Sequence, residues 1–224
     1  MNPQHLPEVR WLGLIPFDEG LRSQESLVAS FLEGSGREHL LLLEHEPVFT
    51  MGRNRDERSL GEEAALPHPV RRINRGGQAT YHGPGQLVAY PILDLGMRGR
   101  DLHAYLRFLE EVVIDVLAAW SVRAVRREGL TGVWVGDRKI ASIGVGVRRW
   151  ISMHGFALNV AADLPGFEAI TPCGIEGVVM TSLAAECGSN PIVEEVAKET
   201  SSVFLRRLGA LPGGIFPLES QSSG

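Results

Sequence analysis

Residues 131–160 read TGVWVGDRKIASIGVGVRRWISMHGFALNV, and this stretch decides the class of fold. It divides into short segments with alternating apolar residues, a pattern typical of strands with one buried face. Gly136-Asp137 is typical of a tight turn between two antiparallel strands. The stretch therefore predicts an antiparallel meander, with strands over 131–137, 139–150 and 151–160.

The rest of the chain adds strands that also come in runs. Continuous apolar or β-branched stretches predict strands over 9–15, 39–45, 70–77, 86–95 and 121–127. Residues 46–69 are dense in charge, glycine and proline, and we expect mostly loop there.

Three helices are expected to stand apart from these strands. The clearest spans 101–120, where apolar residues recur at i, i+3, i+4 and i+7. Another is expected over 18–34, with Asp18 as N-cap and Gly34 as its end. A last helix is expected from Asn190, with Pro191 at its first position, to Gly209.

This separation of strands and helices is typical of an α+β fold with a mixed or antiparallel sheet and helices packed on it. The chain has 224 residues, enough for a single large core. We expect one domain over residues 1–210 and a loosely ordered C-terminal tail over 211–224, which is rich in Pro, Gly and Ser.

The composition excludes several classes of protein. The net charge is −5, whereas general nucleic-acid binders are usually basic. Two cysteines make neither a disulfide framework nor a paired-cysteine zinc site. The N-terminus lacks the pattern of a signal peptide, and the longest apolar runs are too short to span a bilayer. We therefore expect a soluble cytoplasmic protein that binds neither nucleic acid nor membrane.

Four segments contain residues that the fold alone does not require. They are RGGQATYHGPGQ (75–86), GDRKIASIGVGV (136–147), MHGFALNV (153–160) and TPCGI (171–175). The glycines of the first segment allow positive φ and let backbone amides approach a ligand. In the last segment, Cys173 lies between a proline and a glycine, which presents the thiol on a turn.

Each of these residues also has a purely structural explanation. Lys139, at a strand end, would ordinarily be a solvated surface charge, and His154 a satisfied core residue. His82 or His154 could instead form a Cys-His dyad with Cys173. A metal triad of His45, His82 and His154 is a further alternative, although no metal-binding spacing is present. Cys187 follows an Ala-rich stretch and has the features of an ordinary buried cysteine.

The four segments, together with LLLLEHEPVFTMGRN (40–54), occur in the same order in a known family. The chain resembles the bacterial octanoyltransferases of lipoate biosynthesis, the LipB family, over about residues 9–209. The resemblance implies a fold like the catalytic domain of biotin and lipoate protein ligases. It also implies a Cys/Lys dyad, in which Cys173 is the nucleophile and Lys139 its partner. An ammonium beside a thiol favours the reactive thiolate.

The resemblance further implies which residues line the acyl site. They come from three of the four segments: Arg75, Gly76, Gly77, Gln78, Ala79, Thr80, Tyr81, His82, Ser142, Ile143, Gly144, Gly155, Phe156 and Ala157. Backbone amides at Cys173 or Gly77 are candidate donors to the tetrahedral oxyanion.

The implied reaction moves an octanoyl group from octanoyl-acyl carrier protein to a lysine of a lipoyl domain, through a thioester on Cys173. Acceptors would be the E2 subunits of 2-oxoacid dehydrogenases and the H protein of glycine cleavage, and lipoyl-acyl carrier protein could also be a donor. The route requires no ATP, metal or other cofactor, and we expect a monomer. Alternatives are octanoyl amidotransfer between lipoyl-type domains, an ATP-dependent lipoate ligase and a lipid-binding module without catalysis.

Both protein substrates of such a reaction are acidic. We therefore expect local basic patches to dock them, with Arg71, Arg72 and Arg75 as one candidate and Arg148-Arg149 as another. The alternative explanation is a solvated edge strand that carries protective charge.

Overall fold

The structure is a computed structural model that describes residues 6–53, 59–161, 164–175 and 177–217. The strands are β1 (Glu8–Ile15), β2 (His39–His45), β3 (Val48–Met51), β4 (Val70–Arg72), β5 (Ala79–His82), β6 (Gln86–Ile92), β7 (Val125–Arg127), β8 (Leu130–Val135), β9 (Arg138–Arg148), β10 (Ile151–Asn159) and β11 (Val179–Met180). The helices are α1 (Phe17–Leu32), α2 (Leu102–Ala119), α3 (Leu183–Cys187) and α4 (Val193–Gly209).

The predicted meander forms half of a large mixed sheet. The strand order is β1-β2-β6-β10-β9-β8-β7, and β11 pairs in parallel with the start of β9. β1 and β2 are also parallel, whereas the other neighbours are antiparallel. Gly136-Asp137 makes the turn from β8 to β9, as predicted. The expected α+β fold with a mixed sheet is confirmed.

A second, smaller sheet lies beside the first and was only partly predicted. Its order is β4-β3-β5, with β3 antiparallel to β5. The expectation of loop over 46–69 is wrong for β3, all four residues of which are buried. β5 likewise lies inside the segment predicted as a glycine-rich turn. Both strands are short and pair with distant residues, so local periodicity carries little signal. Residues 54–58 of the expected loop lie outside the described part.

The main core lies between the large sheet and the helices α2 and α4. The apolar stripe predicted for 101–120 is buried there, against side chains of β6, β9 and β10. Helix α1 packs against β6 and β10. The two faces of the sheet are therefore covered differently, and the site described below lies on the face of α1 and the small sheet.

Several predicted boundaries differ from the structure. Pro16 occupies the N-cap of α1, and Asp18 lies in the first turn, where its carboxylate pairs with Arg71. Gly34 follows the helix end with φ +81°. Helix α4 begins at Val193, because Ile192 is still extended, and it ends at Gly209 as predicted. The strands expected over 70–77 and 121–127 are limited to β4 and β7.

The C-terminal segment is better anchored than its composition predicts. Phe216 is 2% exposed and packs against the rings of Tyr105 and Phe108. Its backbone N–H donates to the carbonyl of Arg98 at 3.2 Å. The expected tail is thus anchored at Phe216, and residues 218–224 lie outside the described residues.

The start of α2 provides a test of the fold. The carboxylate of Asp101 accepts a hydrogen bond from the N–H of Ala104 at 2.9 Å, as an N-cap does. We expect Asp101→Ala to lower the free energy of unfolding by about 1 kcal/mol. Asp101→Asn, which keeps the accepting oxygen, should stay close to the wild type in urea denaturation. An equal loss in both variants would contradict the capping role.

Candidate active site

The thiol of Cys173 lies on a strained turn. Pro172–Gly174 form one turn of 3-10 helix, in which Cys173 has φ 57° and ψ 14°. A side chain rarely occupies this left-handed region, and such strain is common at functional sites. Gly174, with φ 67°, lies so close to Gln78 that a Cβ would fall 1.9 Å from the amide oxygen of Gln78. Glycine is therefore required here, and the turn directs the thiol towards β9.

Lys139 meets this thiol from the start of β9. Its side chain is 1% exposed, and its Nζ donates to the carbonyl of Thr131 at 3.1 Å and to Cys173 Sγ at 3.4 Å. Nζ also lies 5.4 Å from the ring centroid of Trp134. Gly132 makes the room, since a Cβ there would lie 2.8 Å from Lys139 Cε. Lys139 is therefore a buried partner of Cys173 and not a solvated surface charge.

Strand pairing explains why this lysine is buried. The first residues of β9 lie between β8 on one side and β11 on the other, with Lys139 opposite both Trp134 and Met180. Without β11, the start of β9 would have a neighbouring strand on one side only; with β11, it is paired on both sides. β11 belongs to the segment that follows the Cys173 turn, so one piece of chain covers the lysine and supplies the thiol.

A cavity of about 490 Å³, part of it open to solvent, extends from Cys173 along the sheet. Most of the residues that were predicted to line the acyl site line this cavity: Arg75, Gly77, Gln78, Thr80, His82, Ser142, Ile143, Gly144, Gly155, Phe156 and Ala157. Gly144 and Gly155 pair across β9 and β10 and leave the sheet bare. A Cβ on Gly144 would lie 3.0 Å from Arg75 Cδ, so the arginine stem covers this bare patch.

The remaining predicted residues lie elsewhere. Ala79 and Tyr81 alternate with Thr80 and His82 on β5, and their side chains pack in a separate apolar cluster with Phe49 and Phe167. Gly76 contributes its backbone N–H, which donates to the carbonyl of Val145 at 2.8 Å.

Four cavity residues were not predicted from the sequence: Ile73, Val88, Tyr90 and His154. Val88 and Tyr90 lie two apart on β6, so alternation places them on one face, but the continuous apolar run does not reveal which face. His154 was considered only as a structural residue, a dyad partner or a metal ligand.

Arg75 is 7% exposed and makes hydrogen bonds only to uncharged groups among the described residues. Its guanidinium donates to the carbonyl and the hydroxyl of Thr50 at 3.0 and 2.8 Å, and to the carbonyl of Gly76 at 2.9 Å. Burial lowers the pKa of Arg75, and the nearby Cys173 opposes this shift. An arginine remains protonated in such an environment, so a buried cation lines the cavity.

The hydrogen bonds of His82 determine its tautomer. The amide nitrogen of Gln86 donates to the carbonyl of Tyr81 and to the side-chain oxygen of Asn159, so the Gln86 oxygen faces His82 Nδ1 at 2.7 Å. Nδ1 therefore carries the proton, and Nε2 faces the Thr50 hydroxyl at 3.4 Å. His82 is thus occupied by neutral partners. Within the described residues, the hydrogen-bond partners of Cys173 Sγ are Lys139 and, at 3.9 Å, Ser142.

The three histidines near the cavity are buried and neutral. Burial lowers the pKa of His82 to about 3 and that of His45 and His154 to about 4. His45 uses both ring nitrogens, towards the carbonyl of Ile15 and the hydroxyl of Tyr90. These contacts do not leave a triad of free nitrogens for a metal. No group of three potential ligands that could hold a metal ion occurs in the part of the chain that the structure describes.

The first of the two predicted docking patches is not a patch. Arg71 is paired with Asp18 at 2.8 Å, Arg72 with Glu63 at 2.6 Å, and Arg75 is buried in the cavity. Arg148-Arg149 is exposed at the turn between β9 and β10. It lies nine residues along β9 from Lys139, a span of about 30 Å in an extended strand.

The fold defines a class of catalytic domain. A putative lipoate protein ligase from T. acidophilum, Ta0514, superposes with a TM-score of 0.72 at 17% identity, over 96% of this chain and 89% of that one. The biotin protein ligase from Aquifex aeolicus, in complex with biotin and ATP, superposes with a TM-score of 0.57 at 13% identity, over 89% and 69%. The chain therefore has the fold of these ligase catalytic domains, as the resemblance implied.

Sequence similarity identifies the family. Residues 17–205 match the lipoyl protein ligase A/B catalytic domain, and the chain belongs to that family. It is 55% identical to an octanoyltransferase of Geotalea uraniireducens, over 86% of this chain and 89% of that protein, and 50% identical to one of Geobacter sulfurreducens, over 92% and 85%. The resemblance inferred from the motifs is confirmed, and the chain is an acyltransferase. None of the described helices is long and apolar enough to cross a bilayer.

The buried histidines make stability depend on pH. Their pKa values lie below the ordinary value of 6.5, so between about pH 4 and 6.5 the unfolded chain binds more protons and stability falls as the pH falls. With these three groups, we expect a slope of about 4 kcal/mol per pH unit near pH 5, and His39, whose pKa burial also lowers, adds to it in the same direction. Urea denaturation at pH 7, 6 and 5 measures this slope.

Two variants assign the slope to the buried rings. Asparagine tolerates the positive φ of position 154. His154→Asn should therefore fold and should reduce the slope by about a third. His103→Gln changes an exposed histidine and should leave it unchanged. A free energy of unfolding that does not vary between pH 7 and 5 would contradict the burial of neutral histidines.

Proposed function

We propose that this acyltransferase moves an octanoyl group from octanoyl-acyl carrier protein to the lysine ε-amine of a lipoyl domain, through a thioester on Cys173. The observation that carries the proposal is the contact of 3.4 Å between Lys139 Nζ and Cys173 Sγ, at the mouth of a cavity lined largely by apolar groups and glycines. The similarity to curated octanoyltransferases supports the choice of acyl group.

The first step transfers the acyl group to the enzyme. The ammonium of Lys139 stabilises the thiolate of Cys173, which attacks the carbonyl carbon of the donor thioester. The tetrahedral intermediate collapses with cleavage of the bond to the carrier sulfur. Lys139 gives a proton to the departing thiolate, which leaves as the free phosphopantetheine thiol. One thioester replaces another, so the step is close to balanced in free energy.

The second step transfers the acyl group to the acceptor. The ε-amine of the acceptor lysine attacks the Cys173 thioester, and the neutral amine of Lys139 takes the proton that the nucleophile loses. The bond to Cys173 Sγ breaks, and the thiolate forms again beside the restored ammonium. Conversion of a thioester into an amide is downhill. The route therefore proceeds without ATP, whereas a ligase that activates a free acid as an adenylate does not require a nucleophilic cysteine.

Polar atoms without partners are available to the reacting groups. The hydroxyl of Thr80 and the amide oxygen of Gln78 are buried at the cavity and have no hydrogen-bond partner among the described residues. Buried polar groups are usually satisfied, so these two atoms are candidates to bind the substrate. The Gln78 oxygen lies beside the Cys173 turn and can accept a hydrogen bond from the incoming amine. The backbone amides of Gly77 and Cys173 are proposed as donors to the oxyanion.

The partners follow from the proposed reaction. We propose as acceptors the lipoyl domains of E2 subunits of 2-oxoacid dehydrogenases and the H protein of glycine cleavage, with lipoyl-acyl carrier protein as a further donor. A superposable structure at 18% identity is described as a bipartite lipoate protein ligase of an archaeal lipoylation system, with its E2 lipoyl domain. We also propose that the protein acts as a monomer in the cytoplasm. It would require no metal, nucleotide or other cofactor, and it would bind neither nucleic acid nor membranes.

The acyl-enzyme provides the test. Incubation with octanoyl-acyl carrier protein and no ATP should add one octanoyl group, mapped to Cys173 by mass spectrometry and released onto added lipoyl domain. Cys173→Ser should show no thioester adduct, whereas Cys187→Ser, at the other cysteine of the chain, should be acylated as the wild type is.

The donor distinguishes the alternatives. Acylation by an octanoylated lipoyl domain, but not by octanoyl-acyl carrier protein, would indicate amidotransfer. No adduct on Cys173 from either donor would contradict the covalent route.

A further inference from the structure

A second cavity lies next to the acyl site and shares a wall with it. It has a volume of about 850 Å³, which includes space open to solvent, and it lies between helix α1 and the turn that joins β9 and β10. Leu21 and Val28 of α1, and Val147 and Met153 of the hairpin, are among its apolar residues. Ile73 and His154 line both cavities. These two side chains therefore separate the acyl site from further, partly apolar space.

The order of residues along β9 gives the direction of the acyl site. Cys173 Sγ lies 3.9 Å from the hydroxyl of Ser142, which marks the thiol end of the site. Gly144 follows, covered by the stem of Arg75. At Gly146, a Cβ would lie 2.5 Å from the carbonyl oxygen of Asn74 and 3.3 Å from the ring of His154, so both residues lie against this end of β9. Ser142 lies opposite Ala157 of β10, three residues along that strand from His154. About 10 Å of extended strand therefore separates the level of Ser142 from His154 at the shared wall.

The length of an octanoyl chain matches this span. Its seven carbon–carbon bonds of about 1.5 Å each extend to roughly 9 Å when the chain is fully stretched. A chain that starts at Cys173 Sγ therefore places its terminal methyl group close to Ile73 and His154.

We propose that Ile73 and His154 form the end wall of the acyl site and set the length of chain that the enzyme accepts. The inference rests on the proposed acylation of Cys173. A longer chain must displace one of the two side chains and enter the second cavity. A shorter chain leaves the wall uncontacted, which loses the hydrophobic contribution of its missing methylene groups.

The backbone of the two wall residues is constrained to different extents. His154 has φ 56° on a central strand, and its backbone N–H donates to the side chain of Gln24 at 2.7 Å. Ile73 lies on the segment between β4 and Arg75, is half-buried, and is held through its backbone N–H to the carbonyl of Met51 at 2.9 Å. Ile73 is therefore the side chain that can be changed in size without disturbing the sheet.

Substitution of Ile73 in both directions tests the wall. The protein is offered an equimolar mixture of acyl carrier protein loaded with hexanoyl, octanoyl, decanoyl or dodecanoyl groups, and the adducts on Cys173 are quantified by intact mass before the reaction saturates. Ile73→Ala should raise the ratio of decanoyl to octanoyl adduct by about tenfold or more. Ile73→Phe should raise the ratio of hexanoyl to octanoyl adduct. Ile192→Ala, at an isoleucine that is 61% exposed, should leave both ratios as in the wild type.

The outcomes separate this inference from the proposed function. Adduct ratios that equal the wild-type ratios in both Ile73 variants, while octanoyl still reaches Cys173, would overturn the end wall and leave the acyl-enzyme intact. Absence of any adduct on Cys173 in the wild-type protein would overturn the proposed function and the end wall with it. Melting curves of the variants show that each is folded under the assay conditions.

Discussion

The burial of the Lys139 side chain is the constraint on which the site depends. A charge removed from water is costly unless it is paired or hydrogen-bonded. Here the available partners are one carbonyl, the ring of Trp134 and the sulfur of Cys173. The left-handed turn at Cys173, the glycine at 132 and the pairing of β11 with β9 all serve to bring these groups together. The dyad is thus a consequence of how the chain satisfies a lysine at a covered strand end.

The electrostatics of the cavity are also determined by which of its buried groups are charged. Lys139 and Arg75 are buried there, the three nearby histidines are neutral, and the ion pairs among the described residues include neither Lys139 nor Arg75. In the proposed mechanism, the positive charge of these two side chains favours a thiolate on Cys173 and an oxyanion on the donor thioester. Other side chains that line the cavity, among them Ile73, Val88 and Phe156, are apolar. One end of the cavity therefore suits the reacting carbonyl and the other suits hydrocarbon.

Different parts of this architecture had different signals in the sequence. Helix α2 and the β8–β9 hairpin were predicted well, because their periodicity and turn residues are local. The short strands β3, β5 and β11 were missed, because their stability comes from distant partners. Lys139 and Cys173 are 34 residues apart, and only the family resemblance joined them. The burial of Arg75 and the position of Ile73 and His154 depend on the glycine-rich segment lying over the bare part of the sheet, which no local pattern reveals.

The reactivity of the Cys173 thiol tests the account most directly. In a Cys187→Ser background, which leaves Cys173 as the chain's only cysteine, the rate of alkylation by iodoacetamide at pH 7 reports the thiolate. Lys139→Met removes the ammonium at similar volume and should slow alkylation by about tenfold or more, the effect of roughly 1.4 kcal/mol. Arg138→Met removes a neighbouring exposed charge that is paired with Glu186 and should change the rate less than twofold. A Lys139→Met protein that is alkylated as fast as the wild type would contradict the activation of Cys173 by Lys139.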